Sequence, residues 1–314
     1  MDIMIEKVIM FAIIIAISFI ATKIGWLGEN VREGLSRFIM KVAAPLMLFT
    51  SIAALDFDST LIREAAAIVL ISLVVIVLLV LIAKAYVRFA RLDEKTRGVQ
   101  ISVMSFGNVA FIAYPLFEAV FGVIGIFYGA FYHIINDIFF WSIGAVNIDY
   151  KRSQSKKEMI KKIFSNNLIA VLLGLAALLT QFRLPAIIFG TLEKLGGTTL
   201  YLSLSFIGAT MATVDIGKTY KKLSIYVAVF VKMIIVPIVV AFILTKVYSF
   251  GLSRVAISVV VLQIAMPVMT VIAITANEVG ANYKYASEVV FMTTIISLVT
   301  MPIIMKITQY FLMN

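Results

Sequence analysis

Cysteine is missing from this sequence of 314 residues, and His133 is the one histidine. Disulfides, thiolate metal sites and cysteine nucleophiles are thereby excluded, as is a multi-histidine metal site. No cofactor is expected. Charge is scarce as well: Asp, Glu, Lys and Arg supply 14 % of the chain, against ~25 % in a typical soluble domain. No long polar stretch exists, which excludes a soluble enzyme and a receptor with one anchor and a large folded domain. His-Glu-x-x-His, paired aspartates of prenyl-transfer type and Gly-x-Gly-Asp are all missing too, which argues against an intramembrane enzyme. What the chain has is apolar surface, with 62 % hydrophobic residues and a mean hydropathy of +1.06. A helix crosses a bilayer with ~20 mostly apolar residues, so the supply suffices for roughly ten crossings. The expected class is an all-α polytopic membrane protein.

Ten apolar segments stand between charged or glycine-rich breaks, at about 5–24, 35–55, 64–88, 98–121, 123–146, 163–181, 187–213, 222–246, 252–277 and 284–310. The first could pass for a signal-peptide core. Asp2 and Glu6 beside a single Lys7, with no small-x-small site after it, favour an uncleaved first span. The net charge of +10 does not mark a nucleic-acid binder, because Lys and Arg sit in short connecting segments. Of the 27 basic residues, 18 fall on one side of the alternating connections, including Arg88, Arg91, Arg97, Arg152, Lys218 and Lys221, and seven fall on the other. Lys41 and Lys232 lie within spans. The 18-to-7 split places both termini outside and the basic linker 147–162 in the cytoplasm. That linker reads as a solvated connection, with binding to anionic lipid as the other reading.

Five spans precede the linker (1–146) and five follow it (163–314), so the odd number inverts the second half relative to the first. Span four carries Ala113-Tyr114-Pro115 and span nine carries Ala265-Met266-Pro267, with the prolines 152 residues apart. The same offset takes Pro45 to Gly197, within the Gly196-Gly197-Thr198 opening of span seven. It also gives Tyr114 and Met266 the same place in the two halves, either as walls of an apolar substrate body or as packing. Proline removes a helix donor and clashes with the preceding turn, and the freed groups must face protein or a wet cavity. Paired broken helices in inverted repeats point to a secondary transporter with its site near the midplane. Their half-helix N-termini offer N–H groups to an anion.

The segment Gly107-Asn108-Val109-Ala110-Phe111-Ile112-Ala113-Tyr114-Pro115-Leu116 resembles the fourth-span motif of the auxin efflux carrier family. That family includes the PIN-FORMED carriers and bacterial malate permeases, and its pattern reads Pro-Asn-Thr-Gly-Phe-x-Gly-x-Pro-Leu. Asn108, Phe111, Pro115 and Leu116 match; Gly107, Val109, Ala110 and Ala113 depart. Ala265-Met266-Pro267 is similar to the family's Ala-Met-Pro, and Lys232 with Pro237 to its Lys-x-x-x-x-Pro. Pro45, Asn136, Trp141, Ser297 and Pro302 also fit. The resemblance implies two inverted five-helix repeats with crossing broken helices in spans four and nine. It further implies a scaffold of spans 1, 2, 6 and 7 that dimerises, and a transport domain of spans 3–5 and 8–10 that moves elevator-fashion. A substrate carboxylate would sit at the crossing beside Asn108. The setting implied is a prokaryotic plasma membrane, with a small organic anion as the partner. A channel or a non-transporting sensor on the same fold is the alternative.

An ionisable residue within a span is a functional candidate by default. His133, Asn136 and Asp137 share one face of span five, either as a proton-linked polar wall or as interhelical packing. Lys232 either neutralises an acid or attracts the anion, or it holds carbonyls freed by a break. Lys41 either snorkels to the interface or supports the site. Asn108, Ser105, Gln263 and Thr270 flank the breaks with Pro115 and Pro267. Glu118 and Glu278 are expected near the ends of the second half-helices.

Overall fold

The computed structural model describes residues 3–151, 155–214, 222–246 and 251–313. Arg152, Lys218 and Lys221, counted above, lie outside the described residues, as does Asn314. The chain forms helices α1 (Ile3–Lys23), α2 (Glu29–Ala53), α3 (Ser59–Phe89), α4 (Glu94–Ser105), α5 (Ala113–Phe121), α6 (Val123–Ile148) and α7 (Lys156–Ile163). It continues with α8 (Asn166–Thr180), α9 (Ala186–Met211), α10 (Leu223–Lys246), α11 (Arg254–Ala265), α12 (Val271–Glu278) and α13 (Tyr283–Met313). Six of these, α1, α2, α3, α6, α10 and α13, are long and apolar enough to cross a bilayer; α8 and α11 are shorter apolar helices. Among the described residues β-structure is limited to one isolated bridge.

Large apolar side chains stand exposed on the long helices, among them Ile17 on α1 and Leu70, Val74 and Leu81 on α3. Water would penalise such surfaces and lipid does not. Polar side chains meanwhile are buried, including Gln100, Asn108, Asn136 and Lys232. The protein is an integral membrane protein on these grounds of length, composition and exposure.

Two compact units arise from interleaved segments. One comprises Met1–Ala66, Ala110–Phe131 and Phe164–Thr213; the other comprises Ala67–Val109, Tyr132–Ile163 and Val214–Asn314. In the first unit α2 packs on α8 and α9, and α1 packs on α9. The Gly196-Gly197 pair does not open a span: it lies in the middle of α9. A side chain at Gly196 would collide with the Met47 backbone, so the glycine is there for helix contact. Arg183 holds the end of α2, donating to the carbonyls of Ala53 and Leu55 and pairing with Asp56 at 2.7 Å. Glu64 is buried against the Tyr128 hydroxyl, which donates to it.

In the second unit α11, α10 and α13 pack on one another. Asp93 caps α4 by accepting from the Thr96 N–H (3.0 Å), and Ser253 caps α11 by accepting from Ala256 N–H (3.1 Å). α4 and α11 have 12 residues each and begin 160 residues apart, at Glu94 and Arg254. Both second half-helices, α5 and α12, end near a left-handed glycine, Gly122 (φ 64°) and Gly280 (φ 69°), where other residues would be strained. The helices therefore repeat at about 160 residues and not at the 152 of the prolines. At that spacing Pro267 corresponds to Gly107. Pro115 is the third residue of α5, in a first turn whose N–H groups lack helical partners anyway, so it interrupts nothing. Tyr114, inside α5, and Met266, at the end of α11, do not share a place.

Three of the long helices contain π-helical turns: Ile39–Ala43 in α2, Phe140–Gly144 in α6 and Val229–Ile235 in α10. Such turns are common at functional positions. Lys41 falls in the first and is exposed, well inside a helix that begins at Glu29. Lys232 falls in the third and is buried.

Candidate functional site

Local chemistry sets both breaks. Met266 precedes Pro267, and the proline ring drives it out of the helical region to ψ 144°. α4 stops at Ser105 and Phe106 turns extended (φ −112°, ψ 129°), before Gly107 and Asn108, neither of which favours a helix interior. The interrupted stretches 106–109 and 266–270 then meet within the second unit. Gly107 and Val268 form an antiparallel bridge. Asn108 N–H donates to the Pro267 carbonyl at 2.7 Å, and Met269 N–H to the Phe106 carbonyl at 3.3 Å. The Thr293 hydroxyl oxygen of α13 accepts from Val268 N–H at 3.1 Å.

This pairing alters one expectation. The amides of Asn108, Val268 and Met269 are not bare donors waiting for an anion, because each break partly satisfies the other. A buried backbone donor must find a partner, and in a low-dielectric interior the other break is the nearest one. Side chains also gather at the crossing. The Asn108 amide lies 3.4 Å from the Thr270 hydroxyl, a long contact. Lys232 reaches the crossing from α10 and donates to the Met266 carbonyl, the group freed where α11 stops. A Cβ placed on Gly107 would sit 3.1 Å from the Lys232 Nζ, which fixes how close the ammonium stands to the bridge. Lys232 is 1 % exposed.

Asn108, Met266, Pro267, Thr270 and Lys232 are thus gathered at one place. Gln263 is fully buried one turn before the break, and its carbonyl accepts from Met266 N–H. Ser105 is buried but turns back on its own helix, donating to the Ile101 carbonyl at 2.7 Å. Tyr114 and Pro115 are buried in α5, which belongs to the first unit. His133 and Asp137 pair at 3.1 Å on α6, both inside the second unit. Asn136 beside them is 0 % exposed, and neither its amide nitrogen nor its oxygen has a partner among the described residues. One turn on, the ring of Phe140 meets the Phe106 ring edge-on at 5.5 Å, so this face of α6 abuts the α4 break. Glu278 closes α12 and pairs with Lys162 at 3.4 Å, and Glu118 is one turn from the end of α5.

Sequence reasoning missed Thr293, which looked like any threonine in an apolar span. It also missed a polar lock among α4, α10 and α13. There the buried Tyr285 hydroxyl donates to the Gln100 side-chain oxygen and lies 2.8 Å from the Ser224 hydroxyl. Asn282 reaches Thr96 (2.8 Å), and Lys222 pairs with the buried Glu288. Spacing along the chain carries no signal for these, since the partners are 61 to 186 residues apart.

An apolar helical body that buries a lysine and an asparagine where two helices are interrupted has the features expected of a membrane transport protein. Residues 3–305 match the family described as membrane transport protein, and the chain belongs to that family. The resemblance to the auxin efflux carriers falls within it. The chain is also 28 % identical, over 303 residues, to an uncharacterized transporter of Methanothermobacter thermautotrophicus, covering 95 % of this chain and 96 % of that one.

Proposed function

We propose that this protein is a secondary transporter of elevator type that carries a small organic anion, such as a carboxylate, across the membrane. The observation that carries the reading is the crossing itself. Two interrupted helices of equal length, 160 residues apart, meet break to break at Gly107 and Val268 with the buried Lys232 side chain beside them. A ten-span body of two inverted five-helix repeats accounts for that spacing, because five spans per repeat reverse the second copy and let its break face the first. The anion binds at Asn108, Met266, Pro267 and Thr270, bordered by Ser105 and Gln263. A bound carboxylate accepts from the Asn108 amide, which donates without adding charge.

The segments 67–109, 132–163 and 214–314 pack together although they are far apart in sequence, as the body of a transport domain would, while 110–131 of spans four and five pack with the first unit. Spans 1, 2, 6 and 7 serve as the scaffold and, as in the resembled family, join two copies into a homodimer. The charge split among connections supports both termini outside a prokaryotic plasma membrane.

Proteoliposome uptake across a panel of mono- and dicarboxylates, with pH and Na⁺ varied separately, tests the reading. Saturable uptake with counterflow is expected. Uptake without counterflow would indicate a channel, and no flux of any anion would indicate a sensor built on the same fold.

A further inference from the structure

We propose that Lys232 is the counter-charge of the transported anion, so that the site is matched to a single carboxylate and discriminates against dianions. The inference rests on the reading of the crossing as an anion site, and it names the substrate class by valence. An ammonium has three N–H donors. At Lys232 the described contacts use one, on the Met266 carbonyl. Among the described residues no carboxylate lies at ion-pair distance from it; Asp137, Glu278 and Glu288 of the same unit are engaged by His133, Lys162 and Lys222. Lys232 is also buried to 1 % exposure, so water does not solvate the remaining donors.

A charge buried without its partner is costly, and the cost falls when an opposite charge arrives with good geometry. The carboxylate of a substrate is such a charge. It meets Lys232 at the bridge, within reach of Asn108, whose backbone is tied to Pro267 at 2.7 Å. One carboxylate then leaves the loaded site neutral, which favours its passage through a low-dielectric body. Among the described residues no second cation contacts the bridge to meet a further carboxylate on the same small molecule. Lys41 belongs to the other unit and is exposed, and Lys162 is already shared between Glu278 (3.4 Å) and the face of Trp141 (4.6 Å). A dianion must therefore carry one uncompensated charge into the site.

The test is calorimetric titration of the purified full chain in detergent with matched pairs of linear acids, butyrate against succinate and hexanoate against adipate, together with aromatic monocarboxylates. The unaltered protein should bind at least one monocarboxylate about tenfold or more tighter than the matched dicarboxylate. Lys232→Gln, checked for an unchanged gel-filtration profile, should weaken that monocarboxylate by about a hundredfold and erase the preference. Preference for the dicarboxylate in the unaltered protein overturns the inference, whether or not the variant folds. So does carboxylate binding that Lys232→Gln leaves intact, and in that case the anion site stands while the role of Lys232 falls. Binding of no carboxylate by the unaltered protein defeats the anion-site reading itself, and this inference with it.

Discussion

The backbone N–H of Asn108 donates to the carbonyl of Pro267 at 2.7 Å, joining two residues 159 positions apart at the point where both their helices stop. The bond holds the Asn108 side chain in place relative to both breaks. It also removes one backbone donor from any ligand.

Asn108→Ala should therefore weaken anion binding by ~1.5–3 kcal/mol, the loss of one buried hydrogen bond to a charged group. Asn108→Asp should be worse, because it adds a like charge. Titration of the folded variants measures both. Unchanged affinity in Asn108→Ala would place the carboxylate elsewhere in the crossing.

The two prolines should behave differently. Pro115 lies in the first turn of α5, where its ring is tolerated, so Pro115→Ala should leave turnover within about twofold. Pro267 forces Met266 out of the helix and thereby exposes the carbonyl that Lys232 holds. Pro267→Ala should lower turnover at unchanged expression. Equal effects of the two substitutions would contradict the assignment of Gly107, and not Pro115, as the counterpart of Pro267.

His133 and Asp137, paired at 3.1 Å, are proposed to couple protons to transport. Asp137→Asn should flatten the pH dependence of net uptake and leave substrate exchange largely intact. An unaltered protein whose uptake ignores pH would assign the pair to packing.

Tyr285→Phe should destabilise the chain by ~1–3 kcal/mol, since it strips the hydroxyl from the buried Gln100 and the half-buried Ser224. Thermal unfolding in detergent reads this as a lower Tm. Anion affinity measured well below that Tm should stay unchanged, because the lock holds helix ends and not the crossing.

Orientation can be read directly, because the chain has no native cysteine to interfere. A cysteine at Ser155 should react with impermeant reagent only from the cytoplasmic side, and one at Asn314 only from outside. Reversed labelling would invert the assignment, and labelling on opposite faces from Met1 and Asn314 positions would refute an even number of spans.

Sequence alone determined what depends on neighbours along the chain. Apolar runs such as 64–88 are legible because a span is buried by lipid, and lipid asks only for length and hydrophobicity. Helix α3 (Ser59–Phe89) duly covers that run. The second break is equally local, since Pro267 acts on the residue before it. The Asp93 and Ser253 caps are local too. Tertiary structure decided the rest. Which glycine answers Pro267, which amides the breaks satisfy for each other, and which carbonyl Lys232 seeks all depend on where two helices cross. A proline repeated at 152 residues suggested one register, and the helices chose another near 160 because a proline in a first turn does not break a helix. Thr293 and Tyr285 became visible only with the fold, because a hydroxyl in an apolar span gains its meaning from the donor or acceptor that packing brings to it.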